Sequence, residues 1–341
     1  MEAVMELIPV RQVEKQIQPY REIEEIPVAN FEINTSHSNQ FIEANTKETT
    51  LQYLKNDCII PVFSKDNELT ISHVNFIETV YEAASKIFPR ERINMPEIRV
   101  SHVIKGRTPD AVHKSVHELQ DSDKTIFYER MAFVMEIPTI SEQINGNQLN
   151  LSIGGVRAYN HENLYSKKTY EKFKVFIGFK NMVCCNLCIS TDGYKEEIRV
   201  MSHMELLQQV VSLFQLYNVS RHLQLMNTFR MHNLTEQQFA QMIGKSKLYQ
   251  CLPPKERKQF PNLELTDSHI NIIAKNYYRD EAFSRNSNKL INLWNVYNLF
   301  TGANKSSYID TFLNRSVNAT DFISGISDAL NGNNNYSWFI E

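Results

Sequence analysis

The stretch NSNKLINLWNVYNLFTGANKSSYIDTFLNRSVNATDFISGISDALNG, residues 286–332, decides the reading of the fold. Leu290, Leu293, Trp294, Tyr297 and Phe300 recur at helical spacing, so one face of a helix is apolar and aromatic. Gly302 follows the last apolar position, where a left-handed stop residue is expected. A second short helix is predicted over roughly Ser306 to Asn314, presenting Tyr308, Ile309, Phe312 and Leu313. A third is predicted to begin near Asn318 or Thr320, both good N-caps, with Phe322, Ile323, Ile326, Ala329 and Leu330 on one face before Gly332. Three amphipathic helices joined by short turns can pack only against one another and a shared core. The aromatic stripe reads as core rather than as a cofactor box.

Upstream of this stretch the second half is also helical. Ser202 and Glu205 have the S-x-x-E spacing of a capping box, opening a helix with Leu206, Leu207, Val210, Leu213, Phe214 and Tyr217. The pattern continues to about Arg230, with a break at Asn218-Val219-Ser220. Thr235 and Gln238 make a second box, stapled by Leu234 and Phe239, and Pro253-Pro254 ends the segment that this box opens. His269 to Tyr278 gives another helix.

The middle of the chain is β-rich. The apolar run CIIPVF at residues 58–63 reads as a strand, with a turn at Lys65-Asp66-Asn67. Ser72 then caps a helix that stops at Pro89. Pro96 to Val103, Lys124 to Ile137, Leu149 to Ala158 and Phe173 to Cys188 read as strands, and Glu197 to Met201 closes the set. Gly154-Gly155 and Asp192-Gly193 are expected at turns or bulges. The predicted fold is therefore α+β, an antiparallel β-rich first half packed against a mostly helical second half. Residues 1–55 read as a polar N-terminal arm, extended or partly disordered, broken by Pro9, Pro19 and Pro27. Residues 56–200 form the β-rich region and 201–335 the helical region, as neighbours or as one compact unit.

Composition narrows the function. A chain of 341 residues with 42% hydrophobic and 22% charged residues is that of an ordinary globular protein. A net charge of −3 argues against a protein that coats nucleic acid or an anionic membrane, while leaving room for a local basic patch. No window approaches the ~18 apolar residues of a membrane span, and the first residues lack the cationic start and apolar run of a secretory signal. Five cysteines, an odd number without disulfide-like spacing, fit a reducing compartment, so the expected location is cytoplasmic.

The recognisable chemical motifs fail on their spacing. Cys184-Cys185-Asn186-Leu187-Cys188 holds one C-x-x-C, but zinc needs four ligands and no second pair exists. His113 and His117 stand at i and i+4, yet Lys114 occupies the position where a zinc protease needs Glu. Gly244-Lys245-Ser246 mimics the end of a phosphate-binding loop, but Phe239 stands where its first glycine belongs, and a capped helix replaces the strand. No metal, cofactor or catalytic residue is assigned from the sequence. One element points to nucleic acid. Leu234 to Ser246 resembles the first helix and turn of a helix-turn-helix reader, with Ala240 at the crossing and Gly244 in the turn. Lys245, Lys247, Tyr249, Arg257 and Lys258 follow as a phosphate footprint with an interleaved aromatic ring. Gln250 and Pro253 depart from the pattern, and a helix hairpin with a solvated basic loop is the alternative.

At GFKNMVCCNLCISTDGY and LINLWNVYNLFTGANKSSYIDTFLNRSVNA the chain resembles an uncharacterised domain-of-unknown-function family of Bacteroidetes. EIRVSHVIKGRTPD, DKTIFYERMAFVMEIPTI and LSIGGVRAYNHENLY carry the same resemblance, which covers roughly residues 55 to 330. The family is more distantly related to phage- and plasmid-like proteins, so the resemblance implies cargo of mobile elements. It supplies no catalytic residue. The expected function is a non-enzymatic nucleic-acid-associated role in replication, annealing or regulation, with DNA or RNA as partner. The alternatives are an interaction module for a host or element-encoded protein, for example through the N-terminal arm or the Asn-rich tail ending Tyr336-Ser337-Trp338-Phe339, or an enzyme whose acids and bases are scattered along the chain.

Overall fold

In the computed structural model, which describes residues 40–58, 70–111, 113–162, 170–332 and 335–341, the first half runs β1 (Lys47–Thr49), α1 (Leu51–Asp57), α2 (His73–Ile87), β2 (Glu97–Val100), β3 (Val103–Arg107), β4 (Lys124–Tyr128), β5 (Arg130–Ile144), β6 (Asn147–Ala158), β7 (Glu171–Asn181), β8 (Leu187–Cys188) and β9 (Tyr194–Val200). The second half runs α3 (His203–Leu216), α4 (Val219–Phe229), β10 (Asn233–Thr235), α5 (Glu236–Cys251), α6 (Pro254–Arg257), α7 (Asp267–Arg279), β11 (Leu290–Asn292), α8 (Leu293–Asn304) and α9 (Ile309–Leu330). Residues 59–63 of the expected strand and most of the expected arm lie outside the described residues, and Cys58 caps the end of α1. All described residues belong to one compact unit.

Strands β1, β2, β5, β6 and β7 pair in that order, all antiparallel, and β8 and β9 share the outer edge of β7. β5 and β6 are joined by Asn145-Gly146, both at positive φ (50° and 81°), as a tight hairpin turn requires. Successive side chains on a strand point to opposite faces, and the two faces meet different partners. Met131, Phe133, Met135 and Ile137 of β5 join Leu149, Leu151 and Ile153 of β6 and Phe173, Val175, Ile177 and Phe179 of β7 in the main core. There they meet Phe76, Ile77 and Val80 of α2 and Leu206, Val210 and Leu213 of α3, and the same core continues through Trp294, Tyr297 and Phe322. On the opposite face Ala132, Val134, Val156 and Phe176 pack against Ile309, Phe312, Leu313 and Val317 of α9, with Phe41 and Ile42. The fold is α+β, with an antiparallel sheet in the first half and helices on both of its faces.

The helix starts follow their caps. Ser72 accepts from the Asn75 amide, Ser202 from Glu205 and Asn218 from Arg221. The Thr235–Gln238 box closes in both directions, with Leu234 and Phe239 buried behind it.

The helix ends differ from the expectation in three places. Leu290 is in a strand, and the helix beyond it passes through Gly302 to Asn304. The two short helices predicted after it are one helix of 22 residues, α9. Asn318 and Thr320, read as N-caps, lie in its interior, where their side chains bond to other segments. Asn318 Oδ1 accepts from the Glu264 amide at 2.8 Å, and Thr320 Oγ1 donates to the Ile189 carbonyl at 2.6 Å. Gly244 is not a turn either, since α5 is continuous from Glu236 to Cys251 and no helix-turn-helix forms there.

The strand limits also shift. The run from Pro96 divides into β2 and β3, the run from Lys124 divides at Glu129, and Phe173 to Cys188 is interrupted by a turn. Gly154 and Gly155 stand in mid-strand, opposite Val134 and Phe133; the irregularity in this pair of strands falls between Ile137 and Ser141. These glycines are demanded by close approach. A Cβ on Gly154 would run into the Phe133 carbonyl oxygen, and one on Gly155 into the Phe76 ring and the Lys174 carbonyl.

The two kinds of glycine give opposite expectations. Gly244→Ala places its methyl in open space within a helix and is expected to stabilise the protein by about 0.5–1 kcal/mol. Gly154→Ala is expected to cost about 1–3 kcal/mol or more, through overpacking. Urea denaturation of both variants checks the pair; a destabilising Gly244→Ala would contradict the continuous helix.

Candidate functional site

Three regions stand out by charge or by buried polar groups, and they behave differently. The first is the segment with the sequence-predicted phosphate contacts. The Lys245 ammonium sits over the Trp338 ring, 4.7 Å from its centroid. Arg257 donates to the Gln250 carbonyl at 2.6 Å, at the end of α5, and lies over the Tyr249 ring. Tyr249 is buried, which leaves its ring no free face for stacking. Lys258 is exposed. Lys247 reaches across to α7, donating to Asn271 Oδ1 at 2.6 Å and pairing with Asp267 at 3.5 Å. The five residues thus do not share one surface role, and Lys247 leads to a different helix. The Tyr336–Phe339 segment is folded back on its own chain: Phe339 is buried, Trp338 lies 4.4 Å from the Phe260 ring, and the Tyr336 ring rests on Gly325.

The second region is the outer face of α7. Thr266 and His269 close its N-terminus, with Thr266 N donating to His269 Nδ1 at 3.1 Å, and Ile270, Ile273 and Tyr277 point inward. Phe239 of α5 stacks on Tyr277 with centroids 4.1 Å apart, which fixes the two helices against each other. That inward set leaves Asn271, Ala274, Lys275, Tyr278 and Arg279 along the outer face, where they line an open concavity of about 470 Å³. No carboxylate is among the described residues that line it, although Glu236 and Asp267 bond to two of those residues, Tyr278 and Asn271. Lys275 and Arg279 have no ion-pair partner among the described residues, whereas Arg285 and Lys289 beside the concavity both pair with Glu236, at 2.8 and 3.7 Å. Helical periodicity around IIAKNYYR carries the signal for this face: with Ile270, Ile273 and Tyr277 inward, Lys275, Tyr278 and Arg279 fall together outside.

The third region is a buried polar cluster beneath the start of α2. Leu149, Leu151 and Ile153 of β6 enter the main core, and Arg157 follows on the same alternation, so a charge stands where the pattern calls for an apolar residue. Its guanidinium lies between the Tyr159 and Phe173 rings, 4.5 and 4.4 Å from their centroids. It donates to the Ile71 carbonyl and to Glu171, and reaches Glu162 at 3.2 Å. Glu171 in turn accepts from the Ile71 amide at 3.0 Å, and His73 Nε2 bonds to the Tyr128 carbonyl at 2.8 Å. Burial, reinforced by Arg157, pulls the His73 imidazole down to about 3, while burial pushes the Glu162 carboxyl up. The adjoining cavity, which Cys58, His73 and Tyr128 help to line, measures only about 10 Å³, room for about one water. Burial also drives the Cys58 thiol up to about 11, the opposite of an activated nucleophile. The geometry of this cluster is that of a brace between α2 and the sheet.

Of the cysteines at the β7–β8 turn and in β8, two are buried and Cys185 is half-buried. Cys185 holds φ at 58°, Cys184 and Cys188 are buried, and burial pushes the Cys184 thiol up to about 12. Cys184 and Cys185 lie in the turn, not in a strand as expected. Among the described residues no group of three or more His, Cys, Asp or Glu is placed to hold a metal ion. Among those residues, too, no helix is long and apolar enough to cross a membrane.

The described residues thus form an α+β fold with an open, cation-lined concavity on α7 and a polar brace buried between α2 and the sheet. The chain belongs to the family described as "Domain of unknown function, B. Theta Gene description (DUF3871)", whose model matches residues 23–340. The match extends the resemblance seen over roughly residues 55 to 330 in both directions. No curated protein and no solved structure matches the chain.

The buried groups give two expectations. Arg157→Ala would leave Glu162 and Glu171 without their cation and is expected to cost about 3–5 kcal/mol, read by urea denaturation; Arg157→Ala combined with Glu162→Gln and Glu171→Gln should recover part of that loss. Stability should also fall with acid through histidines. Burial lowers His222 from 6.5 to about 4, and His73 further, so these rings stay neutral in the fold while the unfolded chain takes up protons below about 6.5. Their contribution is complete above pH 6.5 and is lost as the pH falls towards 4. A urea midpoint that stays flat across that range would contradict this assignment.

Proposed function

We propose that the protein acts as a non-enzymatic nucleic-acid-associated protein, in replication, annealing or regulation within the mobile-element setting that the family resemblance implies. It engages the phosphate backbone through the outer face of α7. The observation that supports this reading is the concavity lined by Lys275, Arg279, Tyr278 and Asn271, with two cations unpaired among the described residues and no carboxylate in its lining. Lys247 extends the positive face across to α5, and Lys258 adds an exposed cation beyond α6. Phosphate oxygens are the ligand that unpaired Lys and Arg heads beside neutral donors recognise best. The overall charge of −3 makes such binding local, confined to one face.

Fluorescence-anisotropy titration with labelled duplex DNA, single-stranded DNA and RNA tests the reading. Binding should weaken steeply with salt, because each neutralised phosphate releases counterions. The triple variant Lys247→Ala, Lys275→Ala, Arg279→Ala should flatten the logarithmic salt slope by about 2–3 units. Absence of binding to every nucleic acid at low salt would overturn the proposal.

A further inference from the structure

Resting on that reading, we infer that the α7 face takes single-stranded nucleic acid, with the Tyr278 ring as a platform on which an unpaired base stacks. Tyr278 is 60% exposed although it is one of the larger aromatic residues of the chain, and its ring lines the concavity. An exposed tyrosine is normally free to turn, but this one is held from several sides. The Tyr277 ring meets it edge-on, 4.8 Å between centroids and at 89°. The Arg285 guanidinium lies over it at 4.9 Å, and the Tyr278 hydroxyl donates to Glu236 Oε1 at 3.4 Å. Glu236 also pairs with Arg285 at 2.8 Å, so the cation that covers the ring is itself anchored. A ring held in one orientation before binding loses little rotamer entropy when a base arrives.

The cations sit where a backbone would pass. Lys275 is three residues before Tyr278 and Arg279 one residue after it, so Lys275 and Arg279 stand one helical turn apart along the same face. A strand that lays one base on the ring brings its flanking phosphates within reach of these two heads. Asn271, a further turn back, has its amide held at both ends, accepting from Lys247 at 2.6 Å and donating to Asp267 at 2.9 Å, so the ring and the two cations carry the contact.

Duplex fits this surface poorly. Its bases are stacked on one another and offer no face to an isolated ring. Helix α7 is packed along its length against α5 and α8, and it presents a shallow recess where major-groove readers present a projecting helix. The aromatic ring between free cations is the arrangement that binds single strands without sequence preference.

The test uses the full chain and four probes: labelled oligothymidylate, labelled oligouridylate, a labelled DNA duplex and polyglutamate as competitor. Wild type should bind the single strands more tightly than the duplex at equal salt. Tyr278→Ala should weaken single-strand binding by about tenfold or more and leave duplex binding unchanged. Tyr278→Phe should keep most of the affinity, since it keeps the ring. The DNA and RNA probes show whether the strand is deoxyribose or ribose. Equal loss on single strand and duplex, or no loss with Tyr278→Ala, would overturn the stacking platform while leaving phosphate binding intact. Polyglutamate competing as well as the oligonucleotide would overturn it in favour of an acidic protein partner. Failure of every probe to bind would remove the underlying reading as well.

Discussion

The structure depends on a buried polar seam between the β7–β8 turn and the last two helices. Asn181 donates to Asn298 Oδ1 at 2.9 Å, and Asn186 donates to the Asn298 carbonyl at 2.9 Å. The Lys305 ammonium bonds to the Cys184 carbonyl, and Thr320 ties α9 to Ile189. Outside the buried region Thr191 reaches Asp321 and Tyr194 reaches Asn314. A buried polar group left unpaired costs about 1–3 kcal/mol, so each of the buried contacts, from Asn181, Asn186, Lys305 and Thr320, penalises any other alignment of helix and sheet. Apolar packing brings the two halves together; the seam chooses their register. The two sequence stretches that most strongly carried the family resemblance are the two sides of this seam.

The same economy of side chains explains what the sequence disclosed and what it hid. Helix starts at Ser72, Ser202 and Thr235 were legible because capping is a local interaction between residues three apart. Asn318 and Thr320 belong to the same residue class, but their hydrogen bonds run to Glu264, Asn262 and Ile189, which no local pattern can show. Gly244 and Gly302 looked like stops. Both sit inside helices, where glycine costs about 1 kcal/mol that the surrounding packing easily offsets. The sheet pattern was legible through its alternation, and that alternation also carried an unread signal in Arg157, a cation on the core-facing parity of β6.

The proposed binding surface was harder to read, because charge counted along the chain differs from charge arranged in space. Lys245, Arg257 and Tyr249 formed a basic run with an aromatic ring in the sequence. In the fold their ends are occupied by Trp338, by the carbonyls at the close of α5 and by the core. Lys275, Tyr278 and Arg279 read in the sequence as members of an ordinary amphipathic helix. The stacking of Phe239 on Tyr277 fixes which side of α7 faces water, and only that sets them together on one surface. Which cations are free is a tertiary property.

Helix α9 carries a mechanical consequence. At about 1.5 Å per residue its 22 residues extend roughly 33 Å, enough to serve two cores in succession. Ile309, Phe312, Leu313 and Val317 belong to the far face of the sheet, and Ala319, Phe322, Ile323 and Ile326 to the main core. The rod is anchored in both clusters, so losing α9 would strip the sheet of the apolar cover on its far face. Sheet and helical half thus share one helix, and loss of α9 would expose apolar residues of both clusters at once.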